Sequence, residues 1–148
     1  LDDKRQLRPL YGLLFGMSGV PAVYYGSEWG IEGEQLPGDH ELRPALDAPE
    51  WNELTDWIVA LAKARAGSEA LVWGDYTQLQ CQPQQLVFQR RSEGERVIVA
   101  INASGEPATV HFDAQCGRAV DLITGEEHDF GGGSELAPFS ACYWRCER

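Results

Sequence analysis

The run Val20-Pro21-Ala22-Val23-Tyr24-Tyr25 is apolar or aromatic almost throughout, with no alternating polar positions to face water. A half-buried strand alternates and a strand covered on both faces does not, so this run reads as one strand of a parallel sheet. Parallel neighbours have to be joined by crossover segments, usually helices. One flank fits that demand. Leu7, Leu10, Tyr11, Leu14 and Phe15 recur at three- and four-residue spacing between Asp3 and about Met17, which places them on one face of a helix that Gly19 and Pro21 stop. The remaining sequence offers this strand no parallel partner.

Beyond Gly26 a polar, glycine-bearing stretch continues to about Ala48. It exceeds the usual roughly two to six residues of a βα loop, and long loops of this kind carry sites. Asp47-Ala48-Pro49-Glu50 reads as a helix start in which Asp47 caps and Glu50 returns the bond. Trp51, Leu54, Trp57, Ile58, Leu61 and Ala62 then supply a buried helix face, ended by Gly67. Residues 1–66 are therefore helix, strand, loop and helix, about one and a half units of an architecture that closes only with about eight.

From about Leu71 the periodicity changes. Short alternating or apolar runs at 86–90, 96–101, 108–112, 119–122 and 141–145 are separated by turn signals at Ser92-Glu93-Gly94-Glu95, Thr124-Gly125-Glu126 and Gly131-Gly132-Gly133-Ser134. The expected fold is α+β: the end of a (β/α)8 barrel over 1–66, then an antiparallel β-sandwich over 67–148.

Net charge bounds the partners. A formal charge of −11, from 23 acidic against 12 basic residues, opposes binding to nucleic acid or an anionic membrane, both of which depend on Lys and Arg neutralising phosphate. No apolar run approaches the roughly 18 residues of a membrane span, and Leu1-Asp2-Asp3-Lys4-Arg5 has no apolar signal region, which points to a cytoplasmic location. With no initiating Met at its start, the expectation is that the true amino terminus lies elsewhere. Cys81, Cys116, Cys142 and Cys146 match neither a zinc site nor a Cys-x-x-Cys pair and read as buried or idle thiols, while His40, His111 and His128 are isolated. No metal and no cofactor are expected.

The segment Gly19-Val20-Pro21-Ala22-Val23-Tyr24-Tyr25-Gly26-Ser27-Glu28 resembles the last barrel strand of α-amylase-family (glycoside hydrolase family 13) enzymes, in particular the maltogenic amylase, cyclomaltodextrinase and α-glucosidase branches. The glycine-rich Trp29-Gly30-Ile31-Glu32-Gly33, the Asp39-x-x-x-Arg43-Pro44 element, Asp121-Leu122-Ile123-Thr124-Gly125 and Leu136-Ala137-Pro138-Phe139-Ser140-Ala141 continue the resemblance along the chain. It implies a barrel with an appended sandwich, and retaining cleavage of α-glucosidic bonds by a nucleophilic carboxylate and an acid/base carboxyl. The motifs bearing those groups are absent from this sequence, so it offers no catalytic residue. Glu28, Glu32, Glu34, Asp39 and Glu41 crowd one loop but read as a solvated acidic surface rather than a catalytic pair.

The resemblance also implies roles within that loop. Glu28 matches a structural residue beneath the active site, tied into hydrogen bonds, and Tyr25 belongs to the same face. Asp39 and Arg43 match a pair that reaches sugar hydroxyls at a donor subsite, with an intraloop salt bridge as the alternative. Trp29 is placed either to stack on a pyranose ring or to pack beneath its own loop. Adjacent strand residues point to opposite faces, so Tyr24 and Tyr25 cannot both face the interior, and core packing is the expectation for both. Trp73 and Trp144 are expected to fill the β core.

The reading is thus the carboxy-terminal part of an enzyme acting on α-glucans or maltooligosaccharides, with the sandwich as stabiliser and this chain alone incompetent. Its rivals are a carbohydrate-binding β-sandwich module and an inactive family member serving as an interaction protein. Because the strand at 20–25 lacks neighbours, the isolated chain is expected to self-associate or to leave its amino-terminal third poorly ordered.

Overall fold

The computed structural model describes residues 3–33 and 43–147. Its centre is an antiparallel sheet of six strands: β1 (Asp75–Gln82), β2 (Gln85–Arg91), β3 (Arg96–Asn102), β5 (Arg118–Asp121), β6 (Glu127–Asp129) and β8 (Ser140–Cys146). The order is β1-β2-β3-β8-β5-β6, and β4 (Ala108–Val110) pairs with β7 (Ser134–Leu136) in a second, two-stranded sheet. The turn expected at Ser92–Glu95 joins β2 to β3 in register from Gln85↔Asn102 to Arg91↔Arg96.

Strand alternation sorts the core into two layers. Phe88, Val97, Val99, Ile101, Ala141 and Tyr143 face one way, while Val87, Ile98, Ala100, Ala119 and Trp144 face the other and meet Val110 and Leu136 of the small sheet. That second layer is the sandwich interior. In it Trp144 stacks on His128 at 4.0 Å between ring centroids, and burial lowers the His128 pKa. Three strands differ from the sequence expectation. β1 was hidden because DYTQLQCQ is mostly polar, and it sits at the sheet edge with a bulge between Gln78 and Gln80; β6 and β7 are only three residues each.

The first layer is covered by helices: α1 (Leu7–Gly16), which continues a short 3-10 turn at Lys4–Gln6, α2 (Glu53–Ala66) and the short α3 (Glu69–Trp73). Tyr11 and Phe15 of α1 and Ile58, Leu61 and Ala64 of α2 share one cluster with the sheet residues. The 3.6-residue spacing therefore found the α1 face, except that Leu10 is 49% exposed. The start of α2 is later than its sequence suggested. Asn52, not Asp47, is the cap, accepting from Leu54 and Thr55 N–H, and Thr55 Oγ1 returns the bond from the Asn52 N–H. Asn52 and Thr55 form a closed reciprocal pair, which leaves Trp51 outside the helix, exposed, and donating to Asp56 Oδ1 at 2.8 Å. Ala62 also faces solvent, and Ala64 and Arg65 take the buried positions.

No strand forms at Val20–Tyr25. The segment leaves α1 without regular structure, and Val20 is 93% exposed, with Val23, Tyr24 and Tyr25 also exposed. A strand is held by ladder bonds to neighbours, and the described residues of this chain supply none alongside it. The expectation of a helix-strand-helix unit is corrected to two helices joined through an unpaired segment and a turn.

The carboxyl end of α1 is where helices and sheet are tied. The last turn of any helix leaves carbonyls without partners, and burying them requires donors from elsewhere. Arg65 of α2 donates through Nη1 to the Phe15 and Met17 carbonyls (2.7 and 2.9 Å) and through Nη2 to Gly19 (2.6 Å). Arg90 of β2 donates to Gly16 O at 2.9 Å, and to Gly74 O from Nε and Nη2 at 3.3 and 2.8 Å. Tyr143 of β8 donates to Gly12 O at 2.6 Å. Two guanidiniums beside the negative end of a helix dipole are favourably placed, though burial depresses the pKa of both.

Candidate functional site

The loop expected to carry the site is built on glycines. Gly26 (φ 83°) and Gly30 (φ 71°) bracket a one-turn 3-10 helix, Ser27–Trp29, and both adopt the left-handed backbone that side chains disfavour. Gly26 is also enclosed, since a Cβ there would lie 2.8 Å from Ile31 Cδ1. Helix α2 holds the turn through its cap: Asn52 Nδ2 donates to Trp29 O at 2.9 Å and Thr55 Oγ1 to Glu28 O at 3.0 Å. From the other side Tyr11 of α1 donates its hydroxyl to Ser27 Oγ at 2.8 Å. A rigid turn thus presents Tyr25, Glu28 and Trp29 together.

Their side chains have different surroundings. Trp29 is half-buried. Tyr25 is exposed, its hydroxyl donating to Pro44 O at 3.3 Å and its ring 4.7 Å from that of Tyr24. The two tyrosines therefore lie side by side at the surface, not in the core. Partial desolvation and the neighbouring Tyr24 push the Tyr25 pKa up, and the Arg43 charge opposes this, so Arg43 lies close to the tyrosine pair. Glu28 holds Oε2 buried with no hydrogen-bond partner among the described residues, while its backbone carbonyl is satisfied by Thr55. Glu32 forms an exposed ion pair with Lys4 at 3.1 Å, a contact worth at most about 1 kcal/mol. Glu34, Asp39, His40 and Glu41 lie outside the described residues, so the Asp39–Arg43 pairing does as well.

This arrangement has aromatic faces, a guanidinium and hydroxyls, which suit sugar contacts, and among the described residues it has no pair of facing carboxylates. Among the described residues, too, no group of three His, Cys, Asp or Glu side chains comes together to hold a metal, and no helix is long and apolar enough to cross a membrane.

Residues 76–144 match the family described as "Maltogenic Amylase, C-terminal domain". The chain is 31% identical over 131 residues to a cyclomaltodextrinase of Geobacillus thermopakistaniensis, covering 84% of this chain and 22% of that protein. With a cyclomaltodextrin glucanotransferase of Klebsiella oxytoca it shares 36% identity over 103 residues, or 63% of this chain and 15% of the relative. The chain belongs to the α-amylase family. The α-amylase from Geobacillus thermoleovorans, solved in complex with acarbose, superimposes with a TM-score of 0.86 over 99% of this chain and 34% of that one, at 22% identity, and so shares its fold. The chain spans about a fifth of the length of these curated α-amylase-family relatives or less, and about a third of the superimposed structure.

One feature of the chain escaped sequence reasoning. Trp73, expected in the β core beside Trp144, is 82% exposed at the end of α3, because Gly74 packs its backbone against Arg91 and turns the tryptophan outward. It borders an open depression of about 440 Å³ with Glu69, Asp75, Arg91 and Glu93. The signal available in sequence was its neighbour: a glycine directly after a one-turn helix marks a chain reversal, where the last helical side chain is not tied to the strand alternation.

Proposed function

We propose that this chain is the end of the catalytic barrel (1–66) and the carboxy-terminal sandwich (67–148) of a retaining enzyme acting on α-glucosidic bonds of starch-like oligosaccharides. The sandwich serves as stabiliser. The observation that carries this reading is the tie at the carboxyl end of α1, where sheet residues Arg90 and Tyr143 satisfy helix carbonyls and the helices lay their apolar face on the sheet. Such a joint transmits the rigidity of the sheet to the turn bearing Tyr25, Glu28 and Trp29. In this proposal Trp29, Asp39 and Arg43 contact sugar, and Glu28 and Tyr25 shape the floor of the site. Glu28 Oε2, buried with no hydrogen-bond partner among the described residues, supports that role, since a buried carboxylate oxygen requires a donor. A cytoplasmic location fits its acidic composition and four unbridged cysteines.

A second reading draws on Trp73. An exposed indole beside carboxylates and an arginine is the equipment of a glycan-binding surface, which would make the sandwich a carbohydrate-binding module. Calorimetric titration of the chain with maltoheptaose separates the two: the stabiliser reading predicts no heat beyond dilution, and the binding-module reading predicts saturable binding that Trp73→Ala abolishes.

The exposed segment at 20–25 also carries an expected result. With Val20, Tyr24 and Tyr25 open to solvent, the isolated chain self-associates in sedimentation velocity as concentration rises. Val20→Asp together with Tyr24→Ser returns it to the monomer. A wild-type chain that stays monomeric at high concentration would show that this surface needs no cover.

A further inference from the structure

We propose that Cys116 and Cys146 are a redox pair that closes to a disulfide when a low-molecular-weight disulfide is supplied, stapling the last strand to the segment that leads into β5. The geometry is given by the β5–β8 ladder. Ala119 lies opposite Cys146, and the Glu147 N–H continues the pairing by donating to Arg118 O at 3.1 Å. The chain before β5 brings Cys116 back over the end of β8, and the two Sγ atoms stand 2.6 Å apart.

The other thiols are too far from Cys146 to pair with it. Cys142 and Cys146 lie four residues apart on one strand, roughly 13 Å at the usual rise, beyond the roughly 7 Å that a disulfide spans between Cα atoms. Cys81 is on β1, three strands from β8 in the sheet order, or roughly 14 Å away. Cys116 and Cys146 are also reachable, since both are half-buried and line an open depression of about 640 Å³ between the β2–β3 turn and the end of β8. Arg91, Arg96 and Arg145 face Glu93, Glu95 and Glu147 around it, so neither sign of charge bars a small disulfide.

The chemistry is thiol–disulfide exchange. One cysteine thiolate attacks a sulfur of the small disulfide RSSR, the S–S bond breaks, and RS⁻ leaves and takes a proton. The second thiolate then attacks the mixed disulfide, forming the Cys116–Cys146 bond and expelling the second RS⁻. Two electrons and two protons pass from the protein to RSSR, giving two RSH. Burial and the bond to Cys116 push the Cys146 thiol up to about 12, so exchange is slow at neutral pH and accelerates as pH rises. Once formed, the bond closes a loop from 116 to 146 and fixes the end of β8, raising the thermal midpoint by roughly 5–15 °C.

The test is incubation of the reduced chain with oxidised glutathione at pH 8.5, then intact mass, thiol titration in denaturant and non-reducing peptide mapping. The expected result is the loss of two hydrogens, a fall from the four free thiols of the reduced chain to two, and one linked peptide pair containing Cys116 and Cys146. Cys81→Ser and Cys142→Ser leave this unchanged, Cys116→Ser and Cys146→Ser each abolish it, and a phosphine reductant reverses both the bond and the rise in midpoint. Four thiols persisting under excess oxidant, a linked peptide containing Cys81 or Cys142, or a bond between two chains would overturn the proposal. Mapping of the unmutated chain decides even if a serine variant folds poorly.

Discussion

Arg90→Met is expected to lower the stability of the chain by roughly 3 kcal/mol, more than any surface substitution. Arg90 is 1% exposed, and its hydrogen bonds among the described residues go to the Gly16 and Gly74 carbonyls, which end α1 and α3. Methionine fills most of the volume but leaves both carbonyls buried and unsatisfied, each at a cost of about 1–3 kcal/mol. Arg90→Lys keeps the charge, but a single ammonium lacks the planar fork that reaches two helix ends, so an intermediate loss is expected. Urea unfolding followed by tryptophan fluorescence, at concentrations below any association, measures both. If Arg90→Met matched the wild type, the tie between helices and sheet would be dispensable.

The second large effect is at Gly12. This glycine packs directly against Ala141 of β8, so closely that a Cβ at position 12 would overlap the Ala141 methyl, and its carbonyl accepts the Tyr143 hydroxyl. Gly12→Val therefore forces α1 away from β8 and removes the Tyr143 bond with it, at about 3 kcal/mol, the upper part of the range for overpacked cores. Gly117→Ala is the control, since a Cβ there meets nothing within 4 Å, and should change stability by less than about 0.5 kcal/mol. Amide exchange locates the damage: α1 loses protection first, while the β2–β3 hairpin keeps its own.

These two sites show where the sequence was readable. Periodicity located α1, α2 and the central strands β2, β3 and β8, because each buries a continuous stripe or alternates cleanly between two covered layers. The same reasoning failed at Val20–Tyr25. An apolar run reports what it is built to be buried by, not whether that partner is present, and the described residues offer the segment no ladder, so it stays exposed. Asp47 and Asn52 were both capable caps; the choice of Asn52 depends on Thr55 three residues later and on the Trp29 carbonyl, a contact across 23 residues that no local pattern contains. Arg65 and Arg90 look like surface charges in sequence, and only the meeting of two helix ends and a sheet makes them interior donors. Within the candidate site, Tyr25, expected at the end of a buried strand, lies exposed just before the turn that carries Glu28 and Trp29, and the exposure of Trp73 was not legible either, since it follows from the backbone packing of Gly74.

The central proposal is that this chain supports a glycosidase without itself carrying the chemistry, and direct assay of turnover tests it. Incubated with maltotriose and with a nitrophenyl α-glucoside, the purified 148-residue chain should release no glucose or nitrophenol above a heat-denatured control, because cleavage requires two carboxyl groups facing each other across the bond. Turnover that saturates with substrate and disappears on Glu28→Gln would contradict the claim, and would make Glu28 a catalytic residue.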